Sequence, residues 1–268
     1  TVNSSKRGKS ENRKLIPTPN KTVLDSTFLT IADVLKSVGY VTATMGKWHL
    51  GDNPIKQGFD INIGGTKKGH PKSYFSPYKN KNLKDGPEGE HLTDRLTDDA
   101  IDFVSKHKDK PFFLYLPFYA VHTPFQAKEH LINKYKEKTD SNSSINPVYA
   151  AMVETMDTNI GRLQEALDSL GLDDNTLLIF TSDNGNHQNA SSAAPLRGSK
   201  GMLYEGGIRV PFFVRWKGKI EAAVSCEEPI ISLDLFPTIF DFTNSSNLKH
   251  TFNDWDGKSL RPLIFQES

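Results

Sequence analysis

The sequence predicts an α/β protein with a mainly parallel sheet and helices on both faces. Three apolar runs of strand length, at residues 111–118, 176–181 and 211–216, are separated by longer segments, several of which have helical spacing. Strands that alternate with helices are typical of parallel sheets with helical crossover connections. The chain has 268 residues, 36% of them hydrophobic, which is enough for one large domain with a single core.

The first predicted elements follow a polar segment. Residues 1–25 are rich in Lys, Arg and Asn and predict an extended leader or a cut loop, so residues 26–268 are interpreted as the domain. The segment Ser26–Ser37 spaces its apolar side chains as a helix that stops before Gly39. The segment Val41–Met45 is typical of a strand.

The rest of the chain predicts an irregular region, a polar connection and further helices. Residues 52–90 are rich in Gly, Pro, Lys and Asn, which is typical of a long excursion around a site. Thr93 is the predicted N-cap of one helix, and Pro237 is expected to interrupt another. The predicted helices are Thr93–His107, Val148–Gly171 and Ser232–Phe242, and the polar connection is Gln126–Pro147.

Composition excludes several classes of function. With 33 basic and 32 acidic residues the net charge is +1, so the chain has no general attraction to nucleic acid. No apolar run is long enough for a membrane span. The single cysteine, Cys226, excludes an internal disulfide and a multi-cysteine zinc site. Nothing in the composition indicates the oligomeric state.

Two motifs place basic side chains near predicted strand ends. In GKWHLG, residues 46–51, an extended backbone would point Lys47 and His49 to one face as an anion-binding pair. The alternative is a surface lysine beside a core histidine. His122 follows the apolar run at 111–118 and could act as a general acid near neutral pH, although a lone histidine in such a position is more often structural.

Two further motifs suggest a metal and a second fixed cation. Asp183 and Asn184 follow the run at 176–181, and their oxygens suit Ca²⁺ or Mg²⁺, but an ordinary Asx turn is the alternative. Lys200 lies in a glycine-rich segment, residues 196–211, whose backbone could approach a small ligand closely. A flexible surface loop would have the same composition.

The order of these motifs resembles the sulfatase family of the alkaline phosphatase superfamily. GKWHLG, HTPF, TSDNG and RGSKGMLYEGGIRVP follow one another as successive sulfatase signatures do. The helix YAAMVETMDTNIGRL and the late segment DWDGKSLRPLI are also similar to that family. The similarity extends from about Thr27 to about Leu263, and it depends on the motifs occurring together and in order.

The resemblance implies a role for each matching position. It implies that Lys47 and His49 contact the nucleophile and the sulfate, and that His122 contacts the ester and protonates the leaving oxygen. By the same resemblance Lys200 binds the sulfate and its bridging oxygen. Asp183 and Asn184 would be two ligands of a metal, Ca²⁺ rather than Mg²⁺. Glu205 and Arg209 also match the family pattern and are interpreted as structural residues that hold the Lys200 loop.

The chain departs from the family in its nucleophile. Sulfatases of this type use a formylglycine made from Cys or Ser in a C/S-x-P-S-R motif, which these 268 residues do not contain. Cys226 has different neighbours and follows the other motifs, and Asp98-Asp99, inside a predicted helix, does not replace the two metal-binding aspartates of the family's first strand. We therefore expect a chain that lacks its first strand upstream of Thr27 and is inactive by itself.

The expected function of the full-length protein is hydrolysis of a sulfate ester on a carbohydrate or small molecule. The resemblance also implies a periplasmic or extracellular location. The Asn-X-Ser/Thr sequons at Asn3, Asn142, Asn189 and Asn244 are too common a pattern to decide this. Two alternatives are a phosphodiester or phosphonate monoester hydrolase, since phosphoryl groups need similar cations, and a non-catalytic module that binds sulfated glycans.

Overall fold

A computed structural model of the protein describes residues 21–138, 145–243 and 255–266. The described strands are β1 (Val41–Met45), β2 (Ile61–Ile63), β3 (Phe112–Tyr115), β4 (Leu178–Thr181) and β5 (Phe212–Arg215). The described α-helices are α1 (Ile31–Ser37), α2 (Leu92–Lys106), α3 (Glu129–Lys138), α4 (Pro147–Ser169), α5 (Glu205–Ile208), α6 (Leu235–Phe242) and α7 (Arg261–Phe265).

Strand β1 lies at the centre of a three-stranded parallel sheet. Its Ala43 is paired with Ile61 of β2 on one side and with Leu114 of β3 on the other. Strands β4 and β5 form a second, antiparallel pair. The predicted parallel sheet is therefore confirmed around β1, and β5 is an antiparallel exception. Among the described strands, β3 pairs only with β1 and β4 only with β5.

The core confirms helices on both faces of the sheet. Successive residues of β3 point to opposite faces, as a pleated strand requires. Phe112 and Leu114 pack against a buried cluster that includes Ala100 and Phe103 of α2 and Leu167 of α4. Phe113 packs against the other cluster, formed by Ala32 of α1 with Trp48 and Phe59.

Helix α1 is shorter than the predicted helix Ser26–Ser37. Thr30 forms a capping box, in which its hydroxyl accepts from the Asp33 N–H and the Asp33 carboxylate accepts from the Thr30 N–H at 2.9 Å. This geometry satisfies two backbone donors and fixes the helix start at Ile31. Phe28 and Leu29 consequently lie outside the helix and are exposed.

Helix α2 begins one residue before the predicted start. The N-cap is His91, whose Nδ1 accepts from the Thr93 N–H at 3.3 Å, so the prediction of Thr93 as the cap is wrong. Thr93 itself is buried. A histidine is an uncommon cap, and the sequence offered the more usual threonine two residues later.

Three further differences concern short or polar elements. Strand β2 lies inside the region predicted to be irregular, and at three residues it is too short to show alternation. Helix α3 lies in the predicted polar connection, although Leu131, Ile132 and Tyr135 pack against the core. Pro237 does not interrupt a helix, because it lies in the first turn of α6, where a backbone N–H has no helical partner.

The predicted leader is mostly outside the described residues. Residues 1–20 are not described, and Leu24, in the described part, donates its N–H to the Leu50 carbonyl at 3.0 Å. The domain boundary at residue 25 therefore stays a prediction. Among the described helices none is long and apolar enough to cross a bilayer.

The buried cap of α2 predicts acid sensitivity. Burial is the main cause that lowers the pKa of His91 below its ordinary value of 6.5. As the pH falls through that ordinary value, the unfolded chain takes up the proton first, so the free energy of unfolding falls. Chemical denaturation at several pH values between about 7 and 5 measures this effect. The free energy of unfolding should decrease less with falling pH for His91→Asn than for the wild type. The control is His130→Asn on the exposed side of α3; equal slopes for wild type and His91→Asn would contradict the prediction.

Candidate functional site

The candidate residues follow the carboxyl ends of strands. Lys47 follows β1, His122 follows β3 and Asp183 follows β4. Parallel neighbours such as β1 and β3 end at the same edge of a sheet, which is where ligands bind in open α/β folds. The Lys47 N–H donates to the Pro117 carbonyl at 2.8 Å, which ties the end of β1 to the segment leaving β3.

Gly46 is required for this close approach. Its φ of +129° lies in a region that favours glycine, and a Cβ at this position would lie 2.2 Å from the Pro117 oxygen. Its N–H donates to the Ile63 carbonyl at the end of β2 at 2.8 Å. The backbone before Lys47 is therefore fixed by contacts with both neighbouring strands.

Lys47 links the two sheets. Its Nζ lies 3.3 Å from Oδ2 of Asp183, and the two side chains are 20% and 67% exposed. The lysine is thus mostly buried whereas the carboxylate faces solvent. This ion pair brings the end of β1 next to the end of β4.

His49 lies beside Lys47 but not on an extended backbone. Its φ is +66°, so the expectation of an extended GKWHLG segment is wrong at this residue. Its N–H donates to the Thr66 carbonyl at 2.9 Å, and Gly69 packs on the imidazole so closely that a Cβ would lie 2.6 Å from Cε1. Burial and then the charge of Lys47 lower the pKa of His49.

His122 stacks on a histidine that the sequence analysis did not select. The ring centroids of His122 and His70 are 6.0 Å apart with an interplanar angle of 17°. Nδ1 of His122 lies 3.0 Å from the Thr123 carbonyl and 3.2 Å from the Thr123 hydroxyl, so both contacts of the ring with Thr123 are made through Nδ1. Burial, followed by Lys200 and Lys47, lowers the pKa of His122.

Lys200 completes a group of interacting charges. Its N–H donates to the Asn186 carbonyl at 2.9 Å. Burial lowers the pKa of Lys200, Asp183 opposes that shift and Lys47 adds to it. Lys47 therefore interacts electrostatically with His49, His122 and Lys200, and Asp183 interacts with His49 and Lys200.

The glycines near Lys200 contact protein backbone. A Cβ on Gly206 would lie 2.3 Å from the Gly198 oxygen, and one on Gly207 would lie 2.2 Å from the Met202 oxygen. Gly207 also accepts a hydrogen bond from the Gly185 N–H at 2.9 Å, next to the Asp183–Asn184 turn. The expected close approach to a ligand is therefore replaced, at these glycines, by packing of the loop on itself.

The interpretation of Glu205 and Arg209 as residues that hold the Lys200 loop stays a prediction. They pair with each other at 3.4 Å, and their side chains are 61% and 67% exposed. An ion pair with this exposure contributes little to stability. The loop is closed by the glycine contacts and by the Arg197 guanidinium, which lies 4.0 Å from the centroid of the Tyr204 ring.

The described residues do not by themselves form a calcium site. Asn184 directly follows Asp183 and donates its side-chain N–H to the Gly185 carbonyl at 3.1 Å. Together these two side chains offer about two of the six to eight oxygens that Ca²⁺ takes. No group of three or more His, Cys, Asp or Glu side chains that could hold a metal occurs among the described residues. Asp183 is at the same time the ion-pair partner of Lys47.

Asp98 and Asp99 are structural. Both lie in α2, where Asp98 pairs with Arg162 and Asp99 pairs with Arg95. They are therefore unavailable as the missing metal ligands, in line with the sequence analysis.

The sequence matches the sulfatase family over residues 7–245. The chain belongs to the sulfatase family. The matched range begins before Thr27, where the motif similarity was expected to start, and ends before Leu263. The family prediction is confirmed.

Individual relatives agree with this assignment. A sulfatase of Formosa agariphila is 30% identical over 95% of this chain and 56% of its own length. The crystal structure of Ps i-CgsB in complex with k-i-k-neocarrahexaose is 32% identical, with a TM-score of 0.78, over 92% of this chain and 60% of its own. The phosphonate monoester hydrolase of Agrobacterium radiobacter shares the fold, with a TM-score of 0.70 at 18% identity over 93% of this chain and 64% of its own. The chain thus spans roughly half to two thirds of the length of these relatives.

The glycine contacts predict a large cost for a single methyl group. Gly206→Ala should lower the free energy of unfolding by about 2 kcal/mol or more, because the Gly198 carbonyl has to move. Gly161→Ala is the matched control, since Gly161 lies inside α4 and no atom lies within 4 Å of the added Cβ. It should raise the free energy of unfolding by no more than about 1 kcal/mol. Urea denaturation compares the two; a neutral Gly206→Ala would show that the loop is not packed as described.

Proposed function

We propose that this chain forms the sulfate-recognising part of an enzyme that hydrolyses sulfate esters. The supporting observation, in a chain of the sulfatase family, is a set of basic side chains near one ion pair. Lys47 lies 3.3 Å from Asp183, both charges act on His49 and Lys200, and Lys47 and Lys200 act on His122. Such a set has an excess of positive charge in a partly buried place. Fixed cations stabilise the negative charge that develops on the SO₃ group and on the leaving oxygen during ester cleavage.

Each side chain has a role that its surroundings support. Lys47 and Lys200 bind the sulfate oxygens, because both ammonium groups are partly desolvated and Asp183 balances only one charge. His122 protonates the leaving oxygen through Nε2 after a bound sulfate has raised its lowered pKa. His49, fixed by Thr66 and Gly69, contacts the sulfate and the nucleophile.

The nucleophile and the remaining metal ligands are proposed to come from parts of the full-length protein outside the 268 residues. The chain does not contain the C/S-x-P-S-R motif, so we propose that a formylglycine nucleophile is contributed by a segment of the full-length protein beyond the 268 residues. The same segment would supply the first strand and the acidic ligands that complete a Ca²⁺ site with Asp183 and Asn184. Bound there, the ion would supply positive charge to the reacting oxygens.

The proposed substrate is a sulfated carbohydrate. The support is the 32% identity with Ps i-CgsB, whose crystal structure contains a neocarrahexaose. A periplasmic or extracellular location fits such a substrate and is part of the proposal. The main alternative is phosphodiester or phosphonate monoester hydrolysis, which the shared fold with the Agrobacterium enzyme permits. A non-catalytic module that binds sulfated glycans is the second alternative.

An activity comparison tests these functions. The full-length protein should release sulfate from sulfate esters faster than it cleaves phosphodiesters or phosphonate monoesters with the same leaving group. The chain of residues 1–268 alone should release none, because it has no nucleophile motif. Ion chromatography of the released anion is the measurement. Faster phosphonate cleavage would support the phosphonate hydrolase, and binding of sulfated glycans without turnover would support the non-catalytic module. Turnover by the isolated chain would refute the proposal that its nucleophile lies outside the 268 residues.

Sulfate binding should also be coupled to protonation of His122. In the free protein burial, Lys200 and Lys47 keep the pKa of His122 below 6.5, and a bound anion raises it again. Inorganic sulfate should therefore bind more tightly as the pH falls from about 8 to 6, with proton uptake at pH 7.

Titration calorimetry in two buffers of different ionisation enthalpy measures that uptake. It should be smaller for His122→Gln than for the wild type. His107→Gln, which lies at the end of α2 before β3 begins, should leave it unchanged. Equal uptake in all three proteins would contradict the assignment of the proton to His122.

A further inference from the structure

A lysine-lined cavity lies beside the candidate site. Its volume is about 280 Å³. The basic side chains that line it are Lys67, Lys68, His70, Lys72, Lys79 and Lys81. Among the described residues that line it, Asp52 is the only acid, and the buried residues Tyr78, Leu92 and Tyr119 are apolar.

The charges of this cavity are largely uncompensated. Lys67 lies 3.7 Å from Asp52, and both side chains are mostly exposed. The other four lysines make no ion pair with any described residue. Five ammonium groups and one carboxylate give the cavity a local excess of positive charge, which favours an anionic ligand. The whole chain has a net charge of +1, which makes this excess a local feature.

The cavity wall is anchored to the sheet. Asn80 donates its side-chain N–H to the Gly64 carbonyl at 2.8 Å, and the Gly64 N–H donates to the Asn82 carbonyl at 2.8 Å. Gly64 directly follows β2, so the turn that carries Lys79 and Lys81 is fixed to the carboxyl end of that strand. Lys79 has a φ of +54°, which a lysine rarely adopts and which the surrounding contacts must maintain.

The cavity and the candidate site share a wall. The Thr66 carbonyl accepts from the His49 N–H, Gly69 packs on the His49 ring and His70 stacks on His122. Thr66, Lys67, Lys68 and His70 thus line the cavity, and the same segment contacts the two site histidines through the Thr66 carbonyl, Gly69 and the His70 ring. The strand order β2-β1-β3 explains this, because neighbouring parallel strands end about 5 Å apart at the same edge.

We propose that this cavity binds a second sulfate group of the same substrate, on a sugar unit next to the one that is hydrolysed. The inference rests on the proposed function, and it makes the substrate a multiply sulfated oligosaccharide instead of a monosulfated small molecule. A second anion held by Lys79 and Lys81 adds binding energy away from the reacting ester and orients the chain of sugars across His70. Exposed ammonium groups are screened by salt, so this contribution decreases as ionic strength rises.

Steady-state kinetics of the full-length protein test the subsite. The variant is Lys79→Gln/Lys81→Gln, and the charge-matched control is Lys108→Gln/Lys110→Gln, in the turn before β3 at the opposite edge of the sheet. The substrates are a monosulfated monosaccharide and a multiply sulfated oligosaccharide that contains it. For the oligosaccharide the KM of the variant should rise roughly three- to tenfold with kcat unchanged. For the monosaccharide, and for the control with either substrate, the KM should change less than about twofold. Equal KM changes for both substrates would overturn the subsite.

A binding measurement separates the subsite from the activity. Dextran sulfate, with neutral dextran of the same length as the blank, is titrated into the wild type, the variant and the control at low and high salt. Weaker binding of dextran sulfate by the variant, with unchanged binding by the control, supports the anion subsite. If the full-length protein then turns over no sulfate ester, only the proposed function fails. Equal binding by variant and control overturns the inference whatever the activity. Equally strong binding of a DNA oligonucleotide of the same charge would assign the cavity to polyanions in general and would also overturn it.

Discussion

The parallel pairing of β1 with both of its neighbours is the constraint on which the site depends. Because β2, β1 and β3 run in one direction, the segments that follow them leave the sheet at one edge. The first bonds beyond β1 reinforce this, since Gly46 donates to the end of β2 and Lys47 to the segment after β3. Lys47 then reaches Asp183 after β4, and residues distant in sequence become neighbours through one short ion pair.

Burial, together with the neighbouring charges, shifts the pKa values of the titratable groups at this edge of the sheet. Lys47, Lys200 and the two histidines share a partly buried place with one carboxylate, and burial is the main cause of the lowered pKa of His49, His122 and Lys200. Each of these groups is less stable in its charged form than it would be in water. An anion reverses that penalty for all of them at once, which is the physical reason for linking sulfate affinity with protonation.

The sequence was informative where a signal is local and repeated. Apolar runs located β3, β4 and β5, and ordered motifs drew attention to Lys47, His122, Asp183 and Lys200. It was uninformative where a contact depends on tertiary structure. Strand β2 has only three residues and exists because β1 lies beside it, and the role of His91 as a cap depends on a buried position that composition does not reveal. His70 was missed for the same reason, since its stacking on His122 joins two loops that are far apart in sequence.

Gly206 and Gly207, near Lys200, fix the backbone of the Lys200 loop through contacts that do not involve the loop's side chains. The position of Lys200 is set by carbonyl oxygens meeting Gly206 and Gly207, contacts to which side chains contribute nothing. Leu203, on the same loop, is 90% exposed. A side chain at the tip of this loop can therefore be exchanged without changing these backbone contacts, and Lys200 keeps its place near Asp183.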